Sequence, residues 1–171
     1  MELGHATRLV AEADHDERGA RAARLVELSE LLDDQPLALQ GLAAEWLFED
    51  VKATWLYGYF TGTVLTAYAF CVQQLAGLVR MISDDPELSD DATTLEMLAE
   101  IAERHDVIDL DVRASLVGLH DSAAVYLASG LSSYRRQMER RVEDTDSFTN
   151  EHTLLTNARS ALECCVGLLH R

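Results

Sequence analysis

Between Thr63 and Ile82 the side chains Val64, Tyr68, Cys71, Leu75, Leu78 and Ile82 return every three or four residues. That spacing gathers them on one face of an α-helix and on neither face of a strand. The alternation of three and four is the rhythm of a helix inside a bundle. It recurs along the chain. Leu25, Leu28, Leu31 and Leu32 mark a helix over 20–32, and Leu39, Leu42, Trp46, Leu47, Val51 and Trp55 mark one over 37–59. Leu95, Leu98, Ile101 and Ala102 mark a shorter helix. Val112, Leu116, Leu119, Ala123 and Tyr126 follow in a helix that starts near Asp109 or Asp111. Leu154, Ala158, Leu162, Cys165 and Leu169 mark the last, over 150–169. Pro36, Gly58 or Gly62, and the acidic "SDDPELSDDAT" supply the breaks.

Segments rich in Val, Ile and Thr are nearly absent, so nothing competes with helix. The expectation is an all-α, single-domain helical bundle of about five to six helices. Residues 1–36 read as an N-terminal helix or arm, and residues 37–171 as the bundle proper. The chain of 171 residues is long enough to bury a core without staples.

Thirty acidic residues against fourteen basic ones give a formal charge of −16, and Lys52 is the lone lysine. Such a surface repels nucleic acid and anionic membranes unless arginines concentrate on one face. It also suits a salt-loving source. The opening residues lack the basic-then-apolar order of a signal peptide. The apolar window 61–82 carries Gln73, Gln74 and Arg80, which fits a core helix better than a membrane span. Cys71, Cys164 and Cys165 are odd in number and lie in apolar helical text, as reduced buried thiols of a cytoplasmic protein do.

The chemistry-bearing candidates are few. Glu12 and His15 form one Glu-x-x-His pair without a second copy, short of a carboxylate-bridged metal centre. Adjacent cysteines make a poor metal fork, and there is neither a G-x-S-x-G elbow nor a glycine-rich phosphate loop. No metal and no cofactor is expected. Arg136 and Arg140, one helical turn apart in "YRRQMERR", could reach one phosphate backbone. Glu139, Glu143 and Asp144 beside them offset that field, so an ion-paired solvated face is the preferred reading. Trp46, Trp55, Tyr57, Tyr59 and Phe60 gather around the second helix and its junction with the third. They could serve a ligand or an interface, although packing is the commoner use of such side chains.

The text from Leu37 onward resembles the HEPN superfamily. "LAAEWLFEDVKATWLYGYFTGTVLTAYAFCVQQLAGLVRM" is similar to that family's opening helix pair, "TLEMLAEIAERHDVIDLDVRASLVGLHD" to the short helix and connector before its signature, and "NARSALECCVGLLHR" to its closing helix. The resemblance implies an up-down helical core that pairs into a symmetric dimer. In many members the dimer cleft is a metal-independent ribonuclease. There an Arg, usually followed by a polar residue, holds the phosphate, and a His four to six residues on serves in acid–base chemistry at the 2′-hydroxyl.

Alignment by helices puts that signature on Ser122, Ala123 and Leu127, which cannot perform it. Arg113 and His120, with six residues between them, give a loose second match, and Ala114 stands where a polar residue is usual. The competing reading pairs Arg113 with Asp109 and Asp111 and leaves His120 half-buried. The resulting expectation is a HEPN-like non-catalytic module for homodimerisation or for a protein partner, of a defence or toxin–antitoxin kind. The alternative is a HEPN ribonuclease that uses Arg113 and His120. The acidic charge weighs against RNA as a partner, and no membrane partner is expected.

Overall fold

The computed structural model describes residues 3–32, 38–82, 94–127 and 147–170. Among them are six α-helices and no strand: α1 (Leu3–Leu32), α2 (Leu42–Leu56), α3 (Phe60–Ile82), α4 (Leu95–Arg104), α5 (Leu110–Leu127) and α6 (Ser147–Leu169). The all-α bundle expected from periodicity is what the chain forms.

α3 is the axis. It packs against α2, α4, α5 and α6, while α1 rests mainly on α2 and α6, with Arg24 over the Phe60 ring at the start of α3. Val64, Ala67, Phe70, Cys71, Leu75 and Val79 are sealed within it. By length and composition α3 is apolar enough to cross a membrane; here much of that surface is covered by the neighbouring helices. Ile82, assigned to the core stripe by spacing, stands half exposed at the helix end.

α2 and α3 form an antiparallel hairpin closed by Tyr57, Gly58 and Tyr59. Gly58 has φ +73°, a left-handed backbone that glycine adopts without penalty. A Cβ there would also stand 3.3 Å from the Arg24 guanidinium. Arg24 is at this place for a reason: Nε and Nη2 both donate to Leu56 O, at 3.0 and 2.9 Å. A cation thus caps the carbonyl end of α2, where the helix dipole favours positive charge. Trp55 answers by donating its indole N–H to Arg24 O at 3.2 Å.

The buried face of α2 agrees with the expected one at Val51 and Trp55 and differs in its first half. Ala44, Phe48, Val51 and Trp55 point inward, while Leu42 and Trp46 point out. Phe48 meets Phe70 of α3 with ring centroids 5.3 Å apart, and this aromatic pair sets the rotation of α2. α1 is also longer than expected. It continues through the polar opening from Leu3, because no proline interrupts it and Gly19 alone costs about 1 kcal/mol. Of its leucine stripe, Leu28 is buried and Leu25 is exposed.

The short segment 38–40, just before α2, is strapped to α3 and α6. Gln74, fully buried, accepts from Gln40 N–H at 2.9 Å and donates to Ala38 O at 2.6 Å. Ala38 N–H donates to Leu169 O, 3.1 Å away at the end of α6. Gly77, one turn beyond Gln74, leaves room for the strap, since a Cβ there would fall 2.5 Å from Gln40 Cβ.

Candidate functional site

Arg113 and His120 lie on one helix yet serve different neighbours. Asp109 caps α5 by accepting from Val112 N–H at 2.9 Å. Arg113, in the first turn, reaches back to Glu103 of α4, with Nη1 2.5 Å from Oε2. Glu103 was not among the carboxylates expected to hold this arginine, because only the α4–α5 turn brings it near. His120 lies two turns on, roughly 10 Å along the helix. Its half-buried ring packs against Tyr68 of α3, with centroids 5.9 Å apart, and its Nδ1 is buried without a hydrogen-bond partner. The structure therefore gives each residue its own packing partner and does not join them in one constellation.

The residues on which the helix alignment placed the signature scatter likewise. Ala123 is core, Leu127 is half exposed, and Ser122 lines a cleft. Arg136 and Arg140 lie outside the described residues. His15 is exposed on α1, and the side chain of Glu12 is outside the described set.

The aromatic set divides into four. Trp55 is fully buried and bonded to Arg24, so it offers no surface to a ligand. Phe60 is half-buried, 6.0 Å from the Trp55 ring, with the Arg24 guanidinium over its face at 5.9 Å. Tyr57 and Tyr59 are exposed at the hairpin turn, stacked at 6.3 Å, and Arg21 lies over the Tyr57 ring at 5.3 Å. Trp46 stands apart on the outer face of α2, 64% exposed, one turn from Leu42 at 60%. Its separation from the hairpin turn follows from three helical turns of α2.

Two concavities accompany these surfaces. A cleft of about 420 Å³ runs between α5 and α6, lined by small side chains including Ser115, Gly118, Ser122, Ser160 and Gly167, with Glu163 and Cys164 on its wall. A more open groove of about 500 Å³ lies between α1, Phe60 and α6. Its cations are already engaged: Arg24 caps α2, and Arg159 pairs with Glu27, whose carboxylate holds the guanidinium above its ordinary range. Among the described residues, no three or more His, Cys, Asp or Glu side chains form a metal-binding group.

The feature least visible in the sequence is the meeting of the cysteines. Cys71 of α3 and Cys165 of α6 each fall on a core stripe, but their contact depends on which faces the two helices present to one another. Their sulfurs lie 3.9 Å apart. Burial pushes the Cys71 thiol well above its ordinary value, and a thiol hydrogen bond from Cys71, followed by burial, does the same for Cys164.

No family model, curated protein or solved structure matches this chain.

Proposed function

We propose that this chain is a non-catalytic, HEPN-like helical module of the cytoplasm that works by self-association or by holding a protein partner. One observation carries the reading: Leu42 and Trp46 are presented outward, one turn apart, on a helix whose inner face is already filled by Ala44, Phe48, Val51 and Trp55. An exposed tryptophan beside an exposed leucine is the type of anchor that dominates interface energetics. The stacked tyrosine pair at the hairpin turn, three helical turns away, is a second exposed aromatic surface on the same hairpin. The commitment of Arg113 to Glu103 supports the non-catalytic half of the reading, since a phosphate would have to displace a carboxylate at hydrogen-bond distance.

Sedimentation velocity at micromolar concentration tests it. The expected species is a dimer, returned to monomer by Trp46→Ala with the helical circular dichroism unchanged. A chain that stays monomeric alone, and that cuts RNA in a manner abolished by His120→Ala, reverses the reading in favour of the ribonuclease.

A further inference from the structure

The groove between α1, Phe60 and α6 differs in charge from the molecule around it. The chain as a whole carries −16. The arginines and acids that line this groove are Arg24, Arg159 and Glu27, so two guanidinium groups face one carboxylate and leave one net positive charge. His152 stands at the rim. The rest of the wall is apolar: Ala20 and Ala23 of α1, Phe60 of α3 and Leu155 of α6. Its volume of about 500 Å³ lies within the range of small-molecule sites.

The register of the two helices gives the groove its length. The Glu27–Arg159 pair joins residues 132 apart, and Ala20 with His152 and Ala23 with Leu155 keep the same separation. α1 and α6 therefore run side by side in the same direction for about two turns, or ~10 Å. Arg159 and Glu27 close one end. The alanine methyls keep the α1 side open.

Both arginines are held by some of their nitrogens and keep others. Arg24 spends Nε and Nη2 on Leu56 O, and Arg159 spends Nε on Glu27 Oε1. A guanidinium has five N–H donors, so each retains donors for a further acceptor. Side chains already tethered in this way lose less freedom on gripping an anion.

We propose that this groove binds a small organic monoanion, a carboxylate on an apolar body of the kind a medium-chain fatty acid provides. The carboxylate pairs with the remaining nitrogens of Arg159, Arg24 supplies the second positive charge, and the apolar chain covers Phe60 and Leu155. Charge sets the class. One net positive charge matches a monoanion, whereas a dianionic phosphate would bring surplus negative charge beside Glu27. The lining sets the rest, because a bare inorganic ion would leave the Phe60 and Leu155 surfaces in water. The α5–α6 cleft offers neither feature: no arginine or lysine lines it, and its charged side chain is Glu163. Leu42 and Trp46 line no part of the groove, so this site and association through α2 stand or fall separately.

Calorimetric titration of the full chain with octanoate, and with octanol as its uncharged counterpart, tests the assignment. The expected result is saturable binding of one octanoate per chain, with octanol about tenfold weaker. Amide shifts in heteronuclear NMR spectra should centre on Ala23, Phe60 and Leu155. Arg159→Gln should weaken octanoate about tenfold. Glu27→Gln keeps an acceptor for Arg159 Nε and removes the opposing charge, so it should tighten binding about threefold, which a merely loosened fold would not do. Ala23→Trp should fill the groove and abolish binding with the helical circular dichroism unchanged. The proposal is overturned by a wild-type chain that shows no saturable binding in the millimolar range, by equal affinity for octanol, or by shifts centred away from the groove. Wild-type affinity in Arg159→Gln overturns it as well.

Discussion

α3 and α1 are both long helices, but they are held by different physics. α3 is gripped over most of its length by buried side chains from four other helices. α1 rests mainly on α2 and α6 and is held largely at points: buried Leu28, the Arg24 bonds to Leu56 O and its guanidinium over Phe60, the Trp55 bond to Arg24 O, and the Glu27–Arg159 pair. Continuous burial distributes stability over many weak contacts. Point attachment concentrates it in directional bonds that single substitutions remove. The difference teaches that a long helix in this fold can be either frame or attachment, and that length alone does not say which.

Four measurements sharpen or break that contrast. The largest effect is expected for Phe70→Ala, which removes the partner of Phe48 from a site with no exposure; it should cost roughly 3–5 kcal/mol in denaturant unfolding. A loss below 1 kcal/mol would mean that α3 is not the frame.

Alkaline pH comes next. Cys71 and Cys164 both have raised values in the folded chain, against an ordinary 9.0. Once unfolded, they ionise near that value, while the folded chain keeps their protons. Their contribution is therefore complete below about pH 9 and declines as pH rises further. The slope is about 1.4 kcal/mol per pH unit for each thiol. Cys71→Ala should flatten it.

Arg24→Ala should cost about 2 kcal/mol by leaving Leu56 O without its charged donor. Hydrogen exchange should then quicken in α1 while α3 remains protected. Equal acceleration in both helices would dissolve the distinction between them. The smallest change in stability is expected for Trp46→Ala, within about 0.5 kcal/mol, because its side chain is exposed. That same variant should have the largest effect on association.

Helix existence was legible because apolar spacing reports the period of the backbone. α4 shows this best: Leu95, Leu98, Ile101 and Ala102 were all expected inside and all are buried. Leu116, Leu119 and Ala123 of α5 behave the same way. α2 resisted because it carries two overlapping apolar faces, Leu42–Trp46 and Ala44–Phe48. Spacing cannot rank them, and the Phe48–Phe70 contact that decides between them belongs to tertiary packing. The Arg113–Glu103 pair and the Cys71–Cys165 contact were hidden for the same reason, as each joins residues from different helices. The capping cation of α2 was hidden too, because Arg24 and Leu56 lie 32 residues apart.

The central position of α3 also has a consequence in time. α3 emerges from the ribosome well before α6, the helix that meets Ala67 and Cys71. During that interval its inner face has no cover from α6, on a segment whose length and hydropathy suit a lipid bilayer. The half-made chain thus offers the translation machinery a more membrane-like object than the finished one does.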